Sequence, residues 1–212
     1  SPYIHIGGDE APKERWKECP ACRERIRELG LSNEEELQGY MIGRISSFLR
    51  SNDRIPIGWE EVLNGTSDND CVVQWWRFRS HGDEAAVTAA RGNHKVIASP
   101  NSHCYLSFPV DPDENFKPER TSDLAKVYDA VYVPDRLTED EAANIIGAEC
   151  CIWTEYLDEN QIDRSLFPRV LAAAELMWNH PSPAARRYDE FLTRVLGAEE
   201  YWRTAGVEYG RY

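Results

Sequence analysis

Five short apolar runs, separated by segments with helical patterning, constrain this chain more than any other feature of its 212 residues. The runs are Tyr3 to Gly7, Arg54 to Gly58, Cys71 to Trp76, Lys95 to Ser99 and Gly147 to Trp153. Each is short and apolar at its centre, as strands buried on both faces are. Between the first two, Asn33 to Leu49 sets Leu37, Tyr40, Met41, Ile45, Phe48 and Leu49 at helical spacing. Ser32 stands in front as the expected cap, and three glutamates occupy the first turn. Asp83 to Arg91 reads as a shorter, alanine-rich helix, and Asp163 to Trp178 and Ala184 to Leu196 as two more after the last run. A repeating β/α order predicts a parallel sheet with helical crossovers, either an open doubly wound sheet or part of a (β/α) barrel. Periodicity does not choose between them.

The length, with 42% hydrophobic residues, is enough to bury a core and fits one domain or slightly more. Twenty-four basic residues against 37 acidic ones give a net charge of -13, which repels nucleic-acid phosphates and anionic lipid surfaces. Polynucleotide binding is not expected. No stretch approaches the ~18 to 20 apolar residues of a membrane span. The opening SPYIHIGGDE has neither a basic region nor a signal-peptide core. It begins inside a strand-like run, from which upstream sequence is expected to be missing.

Of the six cysteines, only Cys19-Pro-Ala-Cys22 has meaningful spacing. Such a pair can be half a zinc site, a redox pair or a local disulfide. Zinc wants a second pair, whereas Cys71, Cys104, Cys150 and Cys151 are scattered, so a structural role is favoured. Cys150 and Cys151 read as small core fillers facing opposite sides of a strand. Pro109 to Pro134 is the main irregular stretch. A long loop at a strand's C-terminal end is either a pocket wall or lid, or a surface insertion.

The chemistry gathers where the strands end. His5-Ile6-Gly7-Gly8-Asp9-Glu10 places two carboxylates directly after a glycine pair, which lets the backbone turn sharply and approach a ligand closely. An Asp-Glu pair alone is usually just solvated. Its company raises it: Trp59-Glu60-Glu61, Trp75-Trp76-Arg77, Asn101 to Tyr105 and Trp153-Thr154-Glu155 follow the other runs. Aromatics repeated at strand ends suit the apolar faces of a sugar ring.

These motifs resemble glycoside hydrolase family 20, the β-N-acetylhexosaminidases, from the fourth barrel strand onward. The matching segments are HIGGDE at 5 to 10, GWEE at 58 to 61, VVQWWR at 72 to 77, VIASPNSHCYLSF at 96 to 108 and GAECCIWTEY at 147 to 156. The resemblance implies a partial (β/α)8 TIM barrel, about strands 4 to 8 with their helices, with residues 1–212 as the C-terminal portion of the catalytic barrel. It also implies substrate-assisted hydrolysis of terminal β-linked N-acetylglucosamine or N-acetylgalactosamine, in which the substrate supplies the nucleophile. Glu10 matches the general acid and base, and Asp9 the residue that orients the acetamido group. Tyr105 matches the tyrosine that bonds the acetamido carbonyl oxygen. Trp59, Trp76 and Trp153 match pocket walls, and Glu155 the acid that binds sugar hydroxyls. An acid in this role must hold its proton near neutral pH, which burial beside a second carboxylate favours. No cofactor and no metal are implied.

The pattern departs in two places. Ser107 stands where many relatives carry an acid, and the first three strands, with a first-strand arginine that grips ring hydroxyls, have no counterpart here. A full barrel takes about 250 residues. Five strands of a closed sheet expose two edges, so the expected partners, besides N-acetylhexosamine-containing glycans, are a second copy or the missing N-terminal half of the barrel. A catalytically incompetent sugar-binding or assembly fragment is the competing reading. A conventional glycosidase with Asp9 as nucleophile fits less well, because sequence neighbours do not naturally flank a sugar. Relatives that degrade glycans point to an exported protein, periplasmic, secreted or lysosomal.

The remaining candidates read as structural. Trp75 and Trp76 face opposite sides of a strand, and the family pattern favours Trp76 for the pocket. Trp16, Trp178 and Trp202 lie on helix-like stretches and are expected to pack. His5 reads as a hydrogen-bonded supporting residue, His103 completes no metal spacing, and Arg77 is expected to brace loops. Asn64-Gly65-Thr66 is formally a glycosylation sequon.

Overall fold

The computed structural model of the chain describes residues 1–64, 71–180 and 182–210. Gly65 and Thr66 of the sequon lie outside the described residues. In order, the elements are β1 (Tyr3–His5), α1 (Glu14–Glu18), α2 (Pro20–Leu29), α3 (Glu34–Arg50), β2 (Ile55–Trp59), β3 (Val72–Trp75), α4 (Phe78–His81) and α5 (Glu84–Arg91). There follow β4 (Val96–Ala98), α6 (Asn101–Cys104), α7 (Leu124–Tyr128), α8 (Glu139–Ala142), β5 (Ile145–Ala148), α9 (Ile162–Leu166), α10 (Arg169–Asn179) and α11 (Tyr188–Thr204).

The strands form one five-stranded sheet in the order β1-β2-β3-β4-β5, with β1 parallel to β2 in the register Tyr3↔Ile55 and β2 parallel to β3 in the register Ile57↔Val72. A doubly wound sheet reverses its strand order at a switch point, whereas strands of a barrel follow one another in sequence. The order here is sequential throughout. Four strand expectations hold to within a few residues. The fifth does not: β5 is Ile145–Ala148, whereas Gly147 to Trp153 was expected. Beyond Ala148 the chain leaves the regular ladder, keeping a bond from Glu149 N–H to the Ala98 carbonyl and an isolated bridge between Cys151 and Tyr105.

The chain divides into two compact units, one of residues 1–76, 83–97 and 134–146, the other of 77–82, 98–133 and 147–212. In the first, α3 packs on β2 through Ile42 and Leu49, while α5 covers β3 with Ala86, Val87, Ala89 and Ala90. The cap of α3 is Asn33 and not Ser32. Asn33 Oδ1 accepts the Glu36 N–H at 3.0 Å, and the Glu36 carboxylate in turn accepts the Ser32 N–H at 2.7 Å. The two outer strands are the exceptions to strand burial, with Tyr3 41% and Ile4 39% exposed in β1 and Ile146 47% exposed in β5.

In the second unit, α7 lies against α10, and Tyr128 stacks on Phe191 of α11 at 4.7 Å between ring centroids. The expected helix from Asp163 to Trp178 is broken at Phe167 and Pro168, because proline brings no N–H to continue the ladder. The last helix starts later than expected and runs on to Thr204, since Pro183–Ala185 takes a short 3-10 turn. Trp178, expected to pack, is 86% exposed. Within the irregular 109–134 stretch, Leu124, Val127, Tyr128, Ala130 and Tyr132 are buried, so its second half contributes to the core, whereas 111–120 is exposed apart from Phe116.

One close approach fixes the end of β1. A Cβ on Gly58 would run into the Val62 side chain and stand 3.1 Å from the Gly7 carbonyl oxygen, while nothing lies within 4 Å of one on Gly43 in α3. Gly58→Ala is therefore expected to lower stability by ~1 to 3 kcal/mol in urea unfolding through overpacking. Gly43→Ala should be neutral or stabilise by up to ~1 kcal/mol. Equal stability of the two variants would mean that the ends of β1 and β2 do not approach this closely.

Candidate active site

Pairing continues past β1 into the turn that carries the two carboxylates. Ile6 donates its N–H to the Ile57 carbonyl at 2.8 Å, and Trp59 donates to the Gly7 carbonyl at 3.0 Å. From α3, the Gln38 amide donates to the Gly8 carbonyl at 2.7 Å. The chain then turns through left-handed conformations, with φ of 71° at Gly7, 103° at Gly8 and 45° at Glu10. Glycine takes these readily. Glutamate does not, and a non-glycine residue held there carries strain that is common where a side chain must be aimed. The Asp9 carboxylate folds back towards Gly7, its Oδ1 3.7 Å from where a Cβ on that glycine would stand. Asp9 and Glu10 are both exposed, so the burial expected of the pair is not found among the described residues.

Behind the turn lies an aromatic row. His5 Nδ1 accepts the Gly7 N–H at 3.1 Å, which leaves Nε2 to donate to Gln74 Oε1 at 3.0 Å. Both ring nitrogens are thus engaged, and His5 stands edge-on to Trp59 with centroids 5.2 Å apart. Trp59 meets Trp76 edge-on at 6.2 Å. Trp75 is fully buried, while Trp76 is only half-buried. The buried Glu60 and Glu61 hold Trp76: Glu60 Oε2 accepts its backbone N–H at 2.9 Å, and Glu61 Oε2 its indole N–H at 3.1 Å. The sequence reading grouped these acids with the strand-end chemistry without separating this positioning role from direct contact.

In the second unit, Tyr105 is buried and tilts against Trp153 at 5.7 Å and Phe108 at 5.8 Å. Trp153 is 37% exposed, and Glu155 is exposed. Ser107, where an acid was the family norm, is buried. Tyr105 is secured by its neighbours: Leu106 N–H donates to the Cys151 carbonyl at 2.9 Å, and Cys151 N–H to the Cys104 carbonyl at 2.8 Å. The residue missed by sequence reasoning is Arg169. Fully buried, it donates to the carbonyls of Leu106, Phe108 and Ser122, each at 2.6 Å, and to that of Ser165. Burial pulls its guanidinium down to about 10. A lone arginine opening the apolar helix RVLAAAELMWN was the available signal.

A parallel sheet whose strands follow one another in sequence is the arrangement of part of a (β/α) barrel, and here carboxylates and tryptophans stand at its strand ends. The glycosyl hydrolase family 20 catalytic domain pattern matches residues 1–181, and the chain belongs to that family. It is 34% identical over 212 residues to a beta-hexosaminidase of Porphyromonas gingivalis, covering 98% of this chain and 26% of that protein. A crystal structure of the beta-N-acetylhexosaminidase from Bacteroides fragilis superposes with a TM-score of 0.89 at 35% identity, over 99% of this chain and 42% of the other. The Vibrio harveyi exo beta-N-acetylglucosaminidase, solved in complex with N-acetylglucosamine, gives 0.85 at 28% identity, over 100% and 33%. The chain therefore spans well under half the length of these relatives.

His103, two residues before Tyr105, packs edge-on to Phe78 at 5.4 Å, and its Nδ1 meets the Ser102 hydroxyl at 2.7 Å. Burial, reinforced by the Lys126 cation, pushes its pKa down to about 4. An unfolded histidine titrates near ~6.5, so between these values the unfolded chain binds more protons than the folded one. Stability from this residue is present above about pH 6.5 and is lost as the pH falls towards 4. The urea midpoint should drop across that window, and His103→Gln should flatten the drop relative to the parent. Parallel profiles for the two proteins would show that the imidazole is not held neutral by the fold.

Proposed function

We propose that this chain is strands four to eight of a family 20 barrel. We further propose that the enzyme it belongs to removes terminal, non-reducing β-linked N-acetylhexosamine from glycans with retention of configuration. The observation that carries this reading is the rigid turn after β1, which presents Asp9 and Glu10 together on a backbone pinned at Gly7 and Gly8. Glu10 protonates the leaving oxygen, then accepts a proton from the attacking water. Asp9 accepts the acetamido N–H, and Tyr105 donates to the acetamido carbonyl oxygen, which attacks the anomeric carbon. The C–O bond to the leaving sugar breaks as the intramolecular C–O bond forms. Water then opens the resulting oxazolinium-type intermediate. Trp59, Trp76 and Trp153 offer apolar faces to the ring, and Glu155 accepts from its hydroxyls.

The roles of the two carboxylates separate by leaving group. Asp9→Asn disturbs the internal nucleophile, whatever departs. Glu10→Gln removes a proton donor, which a good leaving group hardly needs. With p-nitrophenyl N-acetylglucosaminide against an unactivated disaccharide, measured on the whole enzyme, Glu10→Gln should recover ~100-fold or more of its first-step loss, and Asp9→Asn should not. Equal losses on both substrates in both variants would remove the role assignment.

A second reading is favoured by the exposed Tyr3 and Ile4 of β1 and by the 26 to 42% of relatives' length that the chain spans. In it, these 212 residues fold as a sugar-binding or assembly module that turns over poorly alone and pairs with a second copy or with the N-terminal half of the barrel. Sedimentation at several concentrations should then show self-association, with hydrolysis of the aryl N-acetylglucosaminide at least ~100-fold below that of a complete relative. A strictly monomeric chain with ordinary activity would leave only the first reading.

A further inference from the structure

We propose that His5 is a positioning residue for the turn that carries Asp9 and Glu10, and that Gln74 holds it in the tautomer this requires. The ladder between β1 and β2 slips by one residue where β1 ends. Ile6 donates its N–H to the Ile57 carbonyl, and a regular parallel pair would return the Trp59 N–H to the carbonyl of Ile6. It goes instead to the Gly7 carbonyl, at 3.0 Å. The slip takes the Gly7 N–H out of the ladder, and the acceptor it meets is Nδ1 of His5, at 3.1 Å. With its N–H on His5 and its carbonyl on Trp59, Gly7 is fixed on both sides, and from it the chain turns at φ 71° towards the carboxylates.

The direction of these bonds decides where the imidazole proton sits. A backbone N–H can only donate, so Nδ1 presents a lone pair and Nε2 carries the hydrogen. Gln74 Oε1 accepts that hydrogen at 3.0 Å, from a side chain buried on β3. Strand register brings the pair together: His5 stands opposite Ile57, Trp59 opposite Gln74, and alternate residues share a face of the sheet. The other tautomer would set one N–H against another at Gly7 and release the turn. Because both ring nitrogens are committed to the protein, His5 has neither left for a sugar. It acts through the turn and not on the substrate.

The inference rests on the proposed roles of Asp9 and Glu10, and two replacements of His5 separate its nitrogens. Asparagine places an amide oxygen near the position of Nδ1, and glutamine an amide nitrogen near that of Nε2. In the whole enzyme, with p-nitrophenyl N-acetylglucosaminide, His5→Gln and Gln74→Met should lower kcat about 10- to 100-fold, and His5→Asn should recover most of that loss. KM should move less than about threefold in Gln74→Met, which leaves the ring contact between His5 and Trp59 in place. Nitrogen spectra of the isotopically labelled chain should show an unprotonated Nδ1 on His5, coupled across the hydrogen bond to the Gly7 amide nitrogen.

Equal losses in His5→Asn and His5→Gln would reduce the histidine to packing and overturn the inference. So would a kcat in His5→Gln equal to that of the parent, or a protonated Nδ1 in the parent, which is measured without any variant having to fold. Failure of the hydrolytic reading looks different: Asp9→Asn and Glu10→Gln would turn over as the parent does, removing any catalytic purpose from the turn while the bond between Gly7 and His5 remained visible.

Discussion

The crowding of two strand ends at Gly7, Gly8 and Gly58 is the constraint on which the first unit depends. Val62 wedges its side chain where any Cβ at Gly58 would stand, and would come within 2.7 Å of one on Gly8. Val62 and its neighbour Ile42 are both buried, so neither can move aside without opening the core between α3 and β2. The Gly7 and Gly8 carbonyls are in turn fastened by Trp59 and Gln38. Packing of the hydrophobic interior therefore reaches the carboxylates directly: the same residues that exclude water from the core set where Asp9 and Glu10 begin. Trp59 belongs to both systems, since its N–H pins the turn and its ring starts the row that leads to Trp76.

The second unit meets a comparable need by other means. Around Tyr105 there is little regular structure to satisfy buried carbonyls, and a carbonyl left unpaired away from water costs about as much as a lost hydrogen bond. Arg169 answers with a planar fork of donors directed at four carbonyls, three of them from the stretch between Leu106 and Ser122. Lysine lacks the geometry for this. One charged side chain on a helix thus does for an irregular segment what a neighbouring strand does for β1. Burying that charge is costly, and complete hydrogen bonding of the guanidinium is what makes it tolerable.

What the sequence revealed follows the same division. β1 to β4 were legible because apolar runs between helix patterns need little context, and the turn was legible because two glycines before two acids have few uses. β5 was misplaced. Ile145 and Ile146 belong to the strand, yet the more apolar-looking Cys150 to Trp153 drew the boundary downstream, and only the neighbouring segment at Ala98 and Tyr105 reveals where the ladder stops. The apolar periodicity runs unbroken across Pro168, where the helix itself stops and restarts. The roles of Arg169, Glu60 and Glu61 were hidden for a different reason: each acts on backbone or indole groups far away in sequence. Composition cannot distinguish such a buried charge from a solvated one.

Under the proposed mechanism, orientation and desolvation are supplied separately. The turn fixes the carboxylates before any sugar arrives, and an oriented pair can take up a large part of the entropic cost of reaction. Yet both acids stand exposed here, with β1 open beside them. A general acid works best when water is kept from it, because hydrogen bonds and charges are worth more in a dry site. The fold thus invests its rigidity where a sugar cannot help, in backbone conformation. Under that mechanism water exclusion would fall to the apolar faces of the sugar as it comes to rest against the turn.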